Sequence, residues 1–325
     1  MNAKQALSVI IAATVAVAAL FAGTLAGAAD KFPSKEIKVV VPWSVGGRTD
    51  VATRIWAPAV SEAFGVSVVI ENKPGGGGVV GANHVARSPA DGYTVGVFSI
   101  SHIMAQWTKI PPFDVQAYVP VGLPFSSPFV LIVRSESPWK NISDFVNAAK
   151  KKRVTFSTSG AGASIHIAAA VFARKAGIDA RYIPYKGDAG AISALLGSEV
   201  DATLMPMVAA AGQVSGGALR ALGVSLEKRD TIHADIPTFR EAGIDFVFSD
   251  LGAGIFLPKG TPPQIVKQWE NMLTKAFARE DLKQRLTKLY LEPGFIGTGK
   301  FQSLLNETTS LLKTLSRELN LVAKK

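Results

Sequence analysis

Short, continuous apolar runs bounded by glycine, proline or polar turns recur along this chain, and the segments between them carry apolar residues at helical spacing. Strands that are apolar on both faces need a layer on each side, which is the pattern of a parallel sheet covered by helices. Ile37 to Pro42 reads as a strand, Ser44 to Gly47 as a loop, and Thr49 to Phe64 as a helix whose Thr49 or Asp50 can cap the N–H groups of its first turn. A second strand, Val66 to Ile70, runs into four glycines and the helix Val79 to Arg87, and Asp91-Gly92 turns the chain into a third strand, Thr94 to Ile100. Three strand-then-helix steps in succession gather their loops at the carboxyl ends of the strands, where α/β sheets bind ligands.

The alternation starts again downstream. Phe129 to Val133, Val154 to Ser157, Ala180 to Pro184, Ala202 to Met205 and Leu219 to Val224 read as strands, with helices at Ile142 to Lys150, Ser164 to Ala176 and Ala189 to Leu196. After the strand Gly254 to Pro258, Thr261-Pro262-Pro263 opens a mostly helical tail from Gln264 to Val322, broken around Pro293 and Gly294. A tail of helices alone builds no α/β lobe, so it is expected to pack on the first one. The expected division is residues 29–127 with 252–325 as lobe 1 and residues 128–251 as lobe 2, joined by strands near Phe125 to Val133 and Phe248 to Leu257.

At the N-terminus, Lys4 precedes an apolar stretch from Ala6 to Ala26, and Ala26-Gly27-Ala28 has the small-x-small pattern of a cleavable export signal. Residues 1–28 read as a signal peptide, cut after Ala28 or one residue later, which places the mature protein in the periplasm. Removing one lysine and no acid lowers the net charge from +10 to +9. Without a dense basic stripe interleaved with aromatics, that charge implies no nucleic-acid partner; it is either a diffuse field that draws in small anions or a solvated basic surface. The chain has no cysteine, so disulfides and thiol chemistry are excluded. Its four histidines, His84, His102, His166 and His233, lack metal-binding spacing, and no cofactor is implied.

Gly76, Gly78 and Gly81 spell the dinucleotide-binding pattern G-x-G-x-x-G, but they follow the second strand, and the third ends in Phe98-Ser99-Ile100-Ser101-His102 with no acid for a ribose. Gly294 to Phe301 has phosphate-loop spacing, yet Phe301 stands where a magnesium-binding hydroxyl belongs; it reads as a turn between helices. No G-x-S-x-G elbow occurs. Three glycine-rich stretches suit an anion instead, because successive backbone N–H groups ahead of a helix make a concave positive site: Ser44 to Asp50, Gly75 to Gly78 and Ser157 to Ser164.

The segments VVPWSVGGRTDVATRIWAPAVSEAFG, VVIENKPGGGGVVGANHVARSPADGYT, STSGAGASIH, IPYKG and IFLPKGTPPQIV occur in this order, and together they resemble the Bug-type periplasmic receptors of tripartite tricarboxylate transporters. The resemblance covers nearly all of the mature chain. It implies a type II periplasmic binding protein of two Rossmann-like lobes joined by two crossing strands. Such a protein, a monomer without catalysis, closes on a small organic carboxylate and delivers it to integral-membrane permease subunits. Carried over, the first loop supplies Ser44, Val45, Gly46, Gly47, Thr49 and Asp50 as ligand contacts, and the second supplies Thr158, Ser159, Gly160, Gly162, Ala163, Ser164 and His166. Tyr185, Lys186 and Gly187 join them at the rim, with Trp43, Ser99, Ser101, His102, Met205, Pro206 and Asp250 as further candidates.

Alternatives stand beside several of these. Gly46 and Gly47 either bind or only permit a tight turn, Asp50 is better read as a helix cap than as a contact to an anion, His166 either touches ligand or orients the Ser164 loop, and Lys186 is either a contact or solvated. Trp43, Phe98 and Met205 either wall an apolar cleft suited to a flat ring or belong to the core. Met205-Pro206-Met207 offers no counter-charge for an ammonium group, and Gly252-Ala253 leaves a wide cleft. An aromatic dicarboxylate such as terephthalate is the leading expectation, followed by aliphatic di- or tricarboxylates; the rival of another class is a secreted α/β enzyme acting on a small carboxylate.

Overall fold

The computed structural model describes residues 32–46, 48–99, 102–103, 114–229, 232–250 and 254–318, so the expected signal peptide lies outside the described residues. The first unit runs β1 (Ile37–Val41), α1 (Arg48–Phe64), β2 (Val68–Asn72), α2 (Val79–Ala86) and β3 (Thr94–Phe98). One long strand, β4 (Tyr118–Arg134), leads into the second: α3 (Ile142–Lys151), β5 (Val154–Thr158), α4 (Ser164–Ala176), β6 (Ala180–Pro184), α5 (Gly187–Leu196), β7 (Ala202–Pro206), α6 (Met207–Ser215) and β8 (Leu219–Val224). The chain returns through β9 (Ser249–Asp250) and β10 (Gly254–Pro258) to α7 (Pro263–Phe277), α8 (Glu280–Thr287), β11 (Glu292–Gly297) and α9 (Thr298–Glu318).

β4 joins the lobes. Its 17 residues span about 56 Å at ~3.3 Å each, and nearly all are buried, as a strand covered on both faces requires. Residues 118–122 pair with β10 and 122–126 with β11, 127–128 pair with β9, and 129–134 lie between β7 and β8. On the lobe 1 side β1 is parallel to β2 and β3; on the lobe 2 side β5 is parallel to β6 and β7. The β1–α1 loop and the first turns of α5 and α6, which follow β6 and β7, line a cavity between the lobes.

Each lobe has an aromatic core. Trp56 of α1 and Trp269 of α7 are both fully buried, and Trp269 donates its indole N–H to the Gly92 carbonyl at 3.0 Å. In lobe 2, Phe172 lies 5.0 Å from Phe239 and 6.3 Å from Phe156, ring centre to ring centre.

Two expectations about the tail are corrected. Residues 294–297, expected in a turn between helices, belong to β11, which pairs antiparallel with β4. It fits because Gly122 has no side chain: a Cβ there would lie 2.5 Å from the Phe295 ring and 2.7 Å from the Ile296 carbonyl oxygen. The last helix also does not stay on lobe 1. Thr298 Oγ1 donates to the Val121 carbonyl at 2.7 Å at one end of α9, while at the other Glu318 accepts from Arg174 of α4 at 3.1 Å.

Candidate functional site

The β1–α1 loop is shaped by one acid. Asp50, 1 % exposed, accepts the Gly46 N–H at 2.9 Å and Arg54 Nε at 3.0 Å on Oδ2, and Asn72 Nδ2 at 3.0 Å and Arg54 Nη2 at 2.9 Å on Oδ1. Asn72 Nδ2 also donates to the Trp43 carbonyl at 3.0 Å. Burial alone would raise the Asp50 pKa, but the Arg54 guanidinium, the Gly46 N–H and the Asn72 amide together hold it below the usual carboxylate range. The expectation of Asp50 as a ligand contact is therefore corrected: its lone pairs are occupied, and it holds the loop. Gly46 has φ +80°, Ser44, Val45 and Gly46 are exposed, and Thr49 is buried.

The four glycines pack against a histidine. At Gly78, with φ +95°, a Cβ would lie 2.2 Å from His102 Nε2; at Gly81 one would lie 2.8 Å from the Lys73 carbonyl oxygen and 2.9 Å from Pro42 Cβ. Close approach of backbone to backbone and to a buried ring accounts for both glycines without a pyrophosphate. His102 is fully buried, so the expectation that it touches ligand is corrected as well. Its Nδ1 accepts the Ser99 N–H at 3.1 Å, its ring sits 5.2 Å from Trp43, and it hydrogen-bonds the Gly78 backbone. One imidazole thus ties together the three loops that follow β1, β2 and β3.

Lobe 2 repeats the device. In the β5–α4 loop, Gly162 donates its N–H to His166 Nδ1 at 3.0 Å, and the His166 ring packs 4.8 Å from Tyr182. Burial lowers both imidazoles to about 4, so both are neutral at physiological pH. The neighbouring β6–α5 loop is zipped to this one: the Tyr185 N–H donates to the Thr158 carbonyl at 2.8 Å and the Gly187 N–H to the Ser159 carbonyl at 3.3 Å. Ser159, Gly160 and Ala163 remain partly accessible, Thr158 and Ser164 are buried, and a Cβ on Gly160 would meet open space. No side chain caps α4, α5 or α6, and the first turns of α5 and α6 contribute to the cavity between the lobes.

The remaining candidates separate. Met205 is fully buried, Pro206 is buried too, and Phe98 is 1 % exposed, so these belong to the core and do not wall the cleft. Tyr185 donates its phenol to Glu199 Oε2 at 2.9 Å, past the C-terminal end of α5. Lys186 and Gly187 are exposed, Trp43 is half-buried against His102, and Ser99 is buried beneath it. Gly47, Ser101, Gly252 and Ala253 lie outside the described residues, as does the side chain of Asp250, whose backbone pairs with Ser127.

Between the lobes lies a cavity of about 340 Å³. Gly46 and Val51 of lobe 1 face Asp188, Ala189 and Ile192 of α5 and Val208 and Ala209 of α6, with Leu289 and Leu291 from the turn after α8. None of the aliphatic walls was among the sequence candidates. The signal was present: Val51 and Val208 stand in the first turns of helices that follow strand ends, where a side chain faces whatever the loop binds.

Two α/β lobes on a shared strand, with the Gly46 loop and the uncapped starts of α5 and α6 at an interlobe cavity, define a solute-binding protein of the two-lobed periplasmic type. The model of the tripartite tricarboxylate transporter family receptor, TctC, matches residues 52–321, and the chain belongs to that family. It is 33 % identical to protein BugT of Bordetella pertussis strain Tohama I over 245 residues, 73 % of this chain and 75 % of BugT. A TctC solute-binding protein from Polaromonas superposes with a TM-score of 0.76 at 27 % identity, covering 88 % of this chain and 99 % of that one. MatC of Rhodopseudomonas palustris, solved with bound malate, superposes with a TM-score of 0.70 at 27 % identity, covering 87 % and 99 %. The family is one of receptors, the Polaromonas protein is a solute-binding protein, and the chain is a receptor rather than an enzyme.

Proposed function

We propose that this chain is exported to the periplasm, closes as a monomer around one small organic carboxylate, and hands it to the permease subunits of a tripartite tricarboxylate transporter. The observation that carries the reading is the pairing of the two loop systems. Each is held in shape by a neutral histidine and runs into a helix, α2 in one lobe and α4 in the other, that begins without a capping side chain. Dipoles fixed in advance bind a carboxylate without the cost of arranging them at the moment of binding.

For the ligand, an aromatic dicarboxylate such as terephthalate ranks first: the cavity is about 340 Å³, and a dry cavity of about 150 Å³ already admits a benzene ring. Aliphatic di- or tricarboxylates form the second reading, favoured by the aliphatic walls Val51, Ile192 and Val208 and by the malate in the MatC structure. Titration calorimetry with terephthalate, succinate, malate and citrate tests both. Heat with one-to-one stoichiometry for at least one of them is expected; no binding by any carboxylate, or consumption of the acid on prolonged incubation, overturns the receptor reading.

A further inference from the structure

Ser225, the residue after β8, is fully buried and bonds at once to both segments that run between the lobes. Its N–H donates to the Phe129 carbonyl at 2.9 Å and its Oγ accepts the Phe129 N–H at 2.7 Å, so it grips β4 where a strand partner would stand. On the returning segment the same Oγ donates to the Phe248 carbonyl, and the Phe248 N–H donates to the Ser225 carbonyl at 3.2 Å. The Phe129 and Phe248 rings lie 5.6 Å apart, centre to centre. One hydroxyl is therefore acceptor to the outgoing strand and donor to the incoming one, a double role that needs both functions on a single atom.

Next to this point the bonding thins. Among the described strands, residues 127 and 128 pair with β9 alone, and β9 is two residues long. Pro128 has no N–H to give. On either side β4 is held by more: residues 118–126 by β10 and β11, and residues 129–134 by β7 and β8.

We infer that Ser225 is a positioning residue for the movement of the lobes: its hydroxyl fastens both crossing segments to lobe 2 at one level, and bending is thereby confined to residues 126–128 and 249–250. Connections that leave lobe 2 at the same level pivot together, so the lobe turns as one body and its loops return to the same place opposite the β1–α1 loop. The inference rests on the lobe movement proposed above and is independent of which acid is bound.

The test uses the mature protein without added ligand. Because the chain has no cysteine, Gln284→Cys in α8 and Lys151→Cys in α3, both at exposed positions, place one spin label on each lobe, and electron–electron resonance reads the distribution of distances between them. Ser225→Ala is expected to broaden that distribution, and Ser225→Thr, which keeps the hydroxyl, to restore it. Ser137→Ala, which removes another buried serine hydroxyl of lobe 2, is expected to leave it as in the wild type. A distribution unchanged by Ser225→Ala, broadened as much by Ser137→Ala, or left broad by Ser225→Thr overturns the inference. Amide exchange in the wild type gives a reading that needs no variant to fold. Ser127 and Asp250 are expected to exchange at least about tenfold faster than Phe129 and Phe248, and in Ser225→Ala the Phe129 amide is expected to quicken on the order of tenfold to a hundredfold. Equal protection at all four overturns the hinge assignment. Carboxylate binding, measured by the calorimetry above, stands or falls separately, so loss of the hinge assignment leaves the receptor reading in place.

Discussion

Gly162 donates its backbone N–H to Nδ1 of His166 at 3.0 Å, which fixes that imidazole as the neutral tautomer with its proton on Nε2 and locks the turn that opens α4. His102 does the same for Ser99 in the other lobe. Both rings work as acceptors, so protonation of either breaks the bond that holds its loop.

A pH dependence follows, with its sign set by burial. Both imidazoles fall from an ordinary 6.5 to about 4 in the folded protein, so between these values the unfolded chain binds protons that the native one refuses. Stability is fully present above about pH 6.5 and is lost as pH falls toward 4, by about 1.4 kcal/mol per pH unit for each histidine. Thermal unfolding from pH 4 to pH 8 checks this, and His102→Asn with His166→Asn is expected to flatten the acid limb. An equally steep limb in that double variant assigns the loss to other groups.

Gly78→Ala places a methyl group where His102 Nε2 stands and forces a side chain onto φ +95°. Urea unfolding is expected to register a loss of at least about 2 kcal/mol. Gly160→Ala adds a methyl group in open space at φ +144°, so its cost is strain alone, about 1 kcal/mol, with a larger effect on carboxylate affinity than on stability. Equal costs at the two positions contradict the packing assigned to Gly78.

Asp50→Asn removes a buried charge that answers Arg54 while keeping the shape of the side chain. A cost of about 1–3 kcal/mol is expected, accompanied by weaker carboxylate binding because Gly46 loses its anchor. Asn72→Ala touches the same network, so the two losses combine to less than their sum. Strict additivity in a double-mutant cycle contradicts a shared network.

Much of the fold is legible where local pattern and tertiary demand agree. β1, α1, β5 and α4 read directly as apolar runs followed by helices, and the glycines after the strands mark the loops that join them. β4 is only half legible, because Pro120, Pro124 and Pro128 interrupt a run that the structure nevertheless keeps as one strand. β11 hides in Glu292-Pro293-Gly294, since its pairing depends on Gly122 far upstream leaving room for Phe295. At the site, the loops after β1, β2 and β5 were readable from their glycines and from the helix starts that follow them. The roles of His102 and Asp50 were not, because their partners Gly78 and Asn72 stand more than twenty residues away in the chain. Met205 and Phe98 mislead for the opposite reason: an apolar residue at a strand end suits a cleft wall and a core equally well until burial decides.

The central claim is that the cleft carries an organic carboxylate, and the most direct measurement is mass spectrometry of the small molecules released when protein purified from cells is denatured. One carboxylic acid with an apolar body, released in near-equal proportion to the chain, is predicted. Release of a sugar, an amine or another molecule without an acidic group contradicts the account.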